Sequence, residues 1–351
     1  MNVKKHWWKV LGVLIVGYTL VAGLIVPLKP GIIGVNPKNA KAGDSLRIEV
    51  IGYNTHFKTG KQDLKIWLKG DTTFFLEGQK VSVVDDNLLG VTFVIPTVLP
   101  FERKVVDFSL LIQNDIDGPF ILPSAIFVTH NPENVPEQRD GWTNKIDLVV
   151  GSTAMAFPFR NILKETIRNT YFHVPLWFTM IFILLGSVYN AVKFLRTGAT
   201  IYDDKSSAYA TVGLLFGLLG LLTGAVWAKN TWGAYWSFDI KQNMTAIALL
   251  IYFAYFVLRG SLEDSVQKGK VSAVYNIFAF VTLIPLLYII PRLTDSLHPG
   301  SGGNPAFGGE DLDNTMRMVF YPAIIGWTLL AYWMGNLWYR LQTVKNKILF
   351  Q

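Results

Sequence analysis

In the stretch TWGAYWSFD, residues 231–239, four rings (Trp232, Tyr235, Trp236 and Phe238) accompany a glycine, Gly233, and one carboxylate, Asp239. Of the five histidines, His173 (in TYFHVPLWFTM) and His298 (in TDSLHPGSGG) each border a long apolar run, as the ring-rich stretch does. Two neutral imidazoles brought to one place make a good axial pair for a haem iron. Aromatic rings, offset or edge-on, suit the flat apolar porphyrin. Its propionates want cations at the water boundary, where Lys229, Lys241, Arg292 and Arg168 stand. Plainer readings compete. Trp and Tyr gather at membrane interfaces because their rings are amphipathic, and a His at the end of a span is ordinarily a polar boundary residue. His6, in the N-terminal tail, and His56 and His130 read as solvated or structural.

For these residues to meet, the apolar runs must cross a membrane. The chain is 51% hydrophobic and 16% charged, with a mean hydropathy of +0.32, too apolar and charge-poor for an ordinary soluble globule. The lack of cysteine excludes disulfides, thiolate metal sites and thiol catalysis. A net charge of +7 reads as topology rather than nucleic-acid binding, and no zinc-finger or helicase spacing occurs. Six runs without an ionised side chain, 10–26, 174–192, 208–228, 242–258, 271–291 and 318–339, reach or approach the about 20 residues that a spanning helix needs. The first and fourth are short at 17 residues and would recruit flanking Lys and Arg by snorkelling. A cleaved signal peptide is the rival reading of the first run; without a small-residue cleavage site after it, a retained anchor is expected.

Orientation follows from the short loops. The N-terminal tail, 193–205, 259–270 and the C-terminal tail carry three Lys or Arg each, against two each in 229–241 and 292–317. That asymmetry predicts both termini in the cytoplasm and the ring-rich loop, 292–317 and 29–172 outside. His173 and His298 then stand at one depth on the outer side. No ionisable group falls within a span, which argues against a secondary transporter.

Segment 29–172 reads as a soluble insertion. SLRIEVIGY, DLKIWL, KVSVV, LLGVTFVIP, KVVDFSLLIQ and PFILPSAIFVTH are strand-like runs separated by Gly, Asp, Asn or Pro, the pattern of a small β-sandwich. The stretch VNPKNAKAGDSLRIEVIGYN resembles the opening strands of an immunoglobulin-like IPT/TIG domain. No catalytic constellation shows there, so docking or spacing is the expected role. NILKETIRNT then alternates at helical spacing and suits the membrane surface.

The loop carries a further resemblance. TWGAYWSFD followed by IKQNMTAIALLIYFAYFVLRG resembles the tryptophan-rich WWD signature of the cytochrome c assembly family. YFHVP before a span, the WGxxWxxD loop and LHxG after a later span stand in that family's order, over about residues 168–340 plus the first span. Its haem exporter C branch is the most similar form, with six spans, both termini inside and the loop between spans three and four. The resemblance implies axial ligands at His173 and His298 and loop positions at Trp232, Gly233, Trp236 and Asp239. It implies haem b, held non-covalently at the outer face of a bacterial inner membrane and presented to a haem chaperone that passes it on to apocytochromes. Implied partners are a small membrane subunit and an ABC-type ATP-binding subunit with its own membrane partner. No Walker motif occurs, so ATP is hydrolysed by another chain. Such a protein delivers haem rather than acting as a stand-alone enzyme, and no catalytic residue is assigned.

The sequence departs from the family where many relatives have Trp, at Tyr235 and Phe238, and where many have Arg, at Lys241. Stacking survives, the indole donors are lost, and Lys pairs with a propionate as a point charge. The inserted domain is the larger departure. The related haem synthetase branch, which attaches haem directly, is the alternative; it has more spans and uses histidines inside the membrane, and no span here holds one. An alternative of another class is a sensor or scaffold working through its β-domain. Gly233 suits a turn or a close backbone approach. Asp239 suits loop fixation, pairing with Lys241, or an N-cap of the fourth span; as a cap alone it predicts only a mild effect of Asp239→Asn. The acidic run GGEDLD, 308–313, reads as a solvated loop or a docking patch.

The expected architecture is an all-α polytopic membrane protein of six transmembrane helices with an inserted all-β, immunoglobulin-like domain. Residues 1–28 form a cytoplasmic tail and first span, 29–150 the sandwich, 151–172 an interfacial amphipathic segment, 173–340 a five-helix WWD domain and 341–351 a cytoplasmic tail.

Overall fold

The computed structural model describes residues 3–70, 74–132, 142–143, 145–151, 154–298 and 312–349. They fall into two compact units, Met1–Val26 with Thr166–Gln351, and Pro27–Glu165. The first unit is helical: α1 (Val3–Ile25), α2 (His173–Thr197), α3 (Thr200–Trp232), α4 (Ile240–Gly260), α5 (Ser265–Ile284) and α6 (Asn314–Leu349). The described residues thus hold six helices long and apolar enough to cross a membrane, and the chain is a multi-pass membrane protein. Leu14, Val21, Leu222, Leu250 and Val257 stay exposed on these helices, as side chains that meet lipid rather than water do.

The helices outrun their apolar cores. α1 and α4 have 23 and 21 residues, because hydropathy marks only the hydrocarbon depth while helical hydrogen bonding continues through the polar flanks. α3 starts inside the segment expected as the 193–205 loop. Only Gly198 and Ala199 separate it from α2, and Gly198, at φ 69°, closes α2 with its N–H on the Phe194 carbonyl.

Small residues let these helices approach. Gly213, Gly217, Gly220 and Gly224 form a stripe on α3, and a Cβ on each would press into Leu184, Met180, Trp177 and His173 of α2 in turn. The reversed order makes α2 and α3 antiparallel. Gly326 of α6 serves in the same way against Ile15 of α1, and Gly335 against Tyr209 of α3. Towards the other end from His173, Asn276 of α5 donates to Ser187 Oγ of α2 at 2.8 Å and Ser206 Oγ of α3 at 3.1 Å. Arg259 grips Asp203 through two nitrogens at 2.8 and 2.7 Å. After α5, Pro285 removes a backbone donor; a π-helical turn, Pro285–Ile289, and a 3-10 turn, Ile290–Arg292, follow it and lead into residues 293–298.

Most of NILKETIRNT, with the Tyr171 that follows it, forms a 3-10 helix, Lys164–Tyr171, that buries Ile167 and Tyr171. Arg168 donates to the Gly23 and Val26 carbonyls at 3.0 and 2.7 Å. Its guanidinium therefore serves the C-terminus of α1.

The second unit is all-β, with β1 (Gly31–Asn36), β2 (Asn39–Lys41), β3 (Ser45–Tyr53), β4 (Lys65–Lys69), β5 (Phe75–Glu77), β6 (Gln79–Val83), β7 (Leu88–Val94), β8 (Val105–Asn114) and β9 (Gly118–Thr129) among the described residues. One sheet runs β1-β3-β7-β6 and the other β2-β9-β8-β4-β5. β2 and β9 pair in parallel. Each strand-like run of the sequence overlaps one strand. β3 shows why: Leu46, Ile48 and Val50 point inward and Ser45, Arg47 and Glu49 outward. Ile48, Val50, Leu89 and Val91 of one sheet share a core with Ile66, Leu68, Phe108 and Ile126 of the other, so the sheets pack face to face.

Candidate functional site

α2 begins at His173. Its Nδ1 lies 2.9 Å from the Gly220 carbonyl and 3.1 Å from Thr223 Oγ1. A carbonyl only accepts, so a neutral His173 carries its proton on Nδ1 and its lone pair on Nε2. Gly224 leaves the space: a Cβ there would come 2.7 Å from His173 Cε1. Trp177, one turn along α2, stands edge-on to the imidazole with centroids 6.2 Å apart.

His298 is built from three separate pieces of chain. Its Nδ1 is 2.8 Å from Asp239 Oδ1, which assigns the proton of the neutral ring to Nδ1 in the same way. Its ring lies 5.8 Å from Trp227 and 4.7 Å from Trp232, and these two indoles meet edge to face at 4.9 Å. His173 packs against Gly224 and His298 against Trp227, about one turn apart on α3, so both imidazoles stand at the end of the unit where α2 begins and α3 ends.

Asp239, only 2% exposed at its side chain, holds this end together. It caps α4 by accepting from the Lys241 N–H at 2.9 Å. It also accepts from Ser296 Oγ at 2.9 Å and the Leu297 N–H at 2.8 Å, which pins the 296–298 segment to the start of α4. Burial pushes the Asp239 carboxyl up, but the Leu297 N–H, the His298 ring, the Ser296 hydroxyl and the Lys241 N–H outweigh it and hold the group below the ordinary carboxylate value. Burial pushes His298 down; Asp239 opposes this, Lys241 adds to it, and the ring stays below the ordinary imidazole value. Asp239 is thus both a cap and a clamp on His298.

The aromatic loop has two faces. Gly233, at φ 86°, ends α3 with its N–H on the Lys229 carbonyl, and nothing lies within 4 Å of a Cβ built there. The turn, and not a close approach within this chain, is what uses the glycine. Lys229 Nζ donates to the Gly233 carbonyl at 2.8 Å and lies 5.8 Å from the Tyr235 ring. Trp232 and Asp239 turn inward, Trp236 is half-buried, and Tyr235 and Phe238 are exposed. Phe238 has a left-handed backbone, φ 57°, and is 78% exposed. Lys241 stands in the first turn of α4 with its N–H on Asp239, and Arg292 is exposed. Gly300 of the LHxG motif and most of the acidic run, 308–311, lie outside the described residues.

Trp227, Thr223, Gly220, Gly224 and Ser296 were not among the residues singled out by sequence. The stretch GLLFGLLGLLTG shows its glycine stripe openly, and Trp227 lies on the same helix, so these had a signal. The bond between Asp239 and His298 joins residues 59 apart and had none.

Among the described residues no three His, Cys, Asp or Glu side chains gather as a metal site. Two imidazoles, each with Nδ1 committed to an acceptor and flanked by indoles, suit a metal that brings its own equatorial ligands, as haem does.

Fold and site define a polytopic helical membrane protein with a paired-imidazole, indole-lined end. A model of the family described as "Heme exporter protein C" matches residues 142–350, and the chain belongs to that family. The match leaves out α1 and the strands β1–β9. Heme exporter protein C of Bradyrhizobium diazoefficiens is 26% identical over 172 residues, 47% of this chain and 62% of that protein. The Haemophilus influenzae protein of that name is 24% identical over 187 residues, 52% of this chain and 73% of its own length. That of Escherichia coli K12 is 24% identical over 164 residues, 47% and 65%. The chain therefore spans less than two thirds of the length of the first and third of these relatives.

Proposed function

We propose that this protein handles haem in c-type cytochrome biogenesis, holding haem b non-covalently as cargo through His173 and His298 and presenting it to a haem chaperone. The observation that carries this reading is the pair of imidazoles with Nδ1 protons engaged at one end of the bundle, one by the Gly220 carbonyl and one by Asp239. A carboxylate behind a histidine raises its basicity and fixes its orientation, the usual arrangement around a ligated metal. Trp232 and Trp236, with the exposed Tyr235 and Phe238, supply surfaces for the porphyrin. Lys241, Arg292 and Lys229 are the cations for its propionates. Gly233 turns the chain so that the loop re-enters α4.

In this reading the loop end and the β unit face the outside of a bacterial inner membrane, with both termini in the cytoplasm, as the Lys and Arg asymmetry supports. A small membrane subunit and an ABC-type ATP-binding subunit with its membrane partner complete the assembly. The β unit, outside the family match, docks or spaces a partner; its two-sheet core is compatible with an immunoglobulin-like domain.

The test is a haem titration of the purified full chain followed by absorption. A Soret band that forms with wild type and is weakened or shifted in His173→Ala and in His298→Ala supports the reading. A colourless wild type, or variants with wild-type spectra, overturns it.

A further inference from the structure

The aromatic loop does not hold its own shape. Between Gly233 and Asp239 it forms no regular ladder, yet it keeps Phe238 in a left-handed backbone that a residue with a Cβ adopts only at a cost. What holds it comes from the first turn of α4. Gln242 is buried. Its Oε1 accepts from the Ser237 N–H at 2.9 Å and from Ser237 Oγ at 3.1 Å, and its Nε2 donates to the Tyr235 carbonyl at 3.3 Å. The neighbouring Asn243 Nδ2 donates to the Phe238 carbonyl at 2.9 Å.

The donor and acceptor types leave one solution. The Ser237 amide can only donate and the Tyr235 carbonyl can only accept, so the side chain between them must offer an acceptor and a donor two bonds apart. A carboxamide does this. An ionised Glu keeps the two bonds to Ser237 and loses the one to Tyr235; Leu loses all three and strands a half-buried N–H. The consequence reaches both faces of the loop. With 235–237 tied to α4 and Phe238 reversed, the Tyr235 and Phe238 rings are turned out while Asp239, the next residue, turns in to His298.

We propose that Gln242 is a positioning residue for haem: it fixes the aromatic loop so that the Tyr235 and Phe238 rings are presented outward as a preformed surface for the porphyrin. This rests on the haem reading above for its cargo, but the fixing of the loop stands on the hydrogen bonds alone. Preformed binding surfaces gain affinity because the ordering cost is met before the ligand arrives.

The experiment uses the full chain in detergent, as wild type, Gln242→Leu and Gln242→Glu, with amide hydrogen exchange of the loop and a haem titration on each. Gln242→Leu is expected to speed exchange of the Ser237 amide by about tenfold or more, with the Asp239-capped Lys241 amide unchanged. It is expected to weaken haem binding by about tenfold while the absorption spectrum of bound haem keeps its bis-imidazole form. Gln242→Glu should restore Ser237 protection and the affinity only in part, because its second oxygen meets the Tyr235 carbonyl acceptor to acceptor. A merely structural residue would lower the melting temperature without this pattern. Unchanged Ser237 exchange in Gln242→Leu overturns the loop-fixing role, and faster exchange with unchanged haem affinity overturns the positioning role. If wild type takes up no haem, the haem reading and the positioning role fall together, and the exchange arm still decides whether Gln242 holds the loop.

Discussion

Among the described residues, two Asp–His pairs have nearly the same bond. In the helical unit His298 Nδ1 meets Asp239 Oδ1 at 2.8 Å, and in the β unit His56 Nδ1 meets Asp117 Oδ1 at 2.7 Å, with the two carboxylates 2% and 1% exposed. Their surroundings differ. His298 is 18% exposed and flanked by two indoles. The His56 ring is 46% exposed. Asp117 also accepts from the His56 backbone N–H at 2.8 Å and from Asn114 Nδ2 at 2.9 Å, so it ties the 56 and 114–117 loops together. The same bond thus does two jobs. Backed by a carboxylate alone, an imidazole is a pin between loops; backed by a carboxylate, walled by rings and paired with a second imidazole, it has what an axial ligand needs.

The largest effect expected to sharpen this contrast is ligand loss. His173→Ala or His298→Ala should abolish or transform the haem spectrum, while His56→Ala leaves it unchanged in a titration. Next come the carboxylates. Asp239→Asn keeps the cap but weakens the hold on His298, and haem affinity should fall by about 10–100-fold, more than a cap alone predicts. Asp117→Asn should leave affinity alone and destabilise the β unit by about 1–3 kcal/mol, read as an earlier thermal transition.

A smaller effect is expected from Gly224→Ala, whose methyl would meet the His173 ring at 2.7 Å. Pushing that ring off its rotamer should cost about 0.5–1.5 kcal/mol and raise the dissociation constant for haem by about two- to tenfold. The smallest is the pH response. Asp239 and His298 both sit below their ordinary values. Groups depressed in the fold stabilise it fully above their unfolded values, and that contribution fades as pH falls through the depressed ones. Haem occupancy should therefore hold at and somewhat below the ordinary His value of about 6.5 and decline reversibly only as pH falls through the depressed His298 value. A decline on the alkaline side would break the assignment.

The sequence revealed the helices because twenty-residue apolar runs need no tertiary information, and β3 and its neighbours because alternation records which face is buried. Helix ends were less legible: Thr200–Lys205 continue α3 although they carry two Asp and a Lys, since the helical ladder does not stop where the hydrocarbon does. Of the site, the ring-rich loop and the two bordering histidines were readable as residue types. Their connections were not. Asp239 reaches the 296–298 segment, and Gln242 reads as an ordinary span-end residue until its three loop bonds are seen. Arg168 illustrates the converse: a cation at the right depth, whose guanidinium goes to the α1 carbonyls.

The central claim is that His173 and His298 ligate one haem iron together. The most direct measurement is the electron paramagnetic resonance spectrum of the ferric, haem-loaded full chain, with His173→Ala and His298→Ala beside it. The account predicts a low-spin bis-imidazole signal in wild type that gives way to a high-spin or differently ligated signal in each variant. A high-spin wild type, or a low-spin signal that survives either substitution, would contradict it.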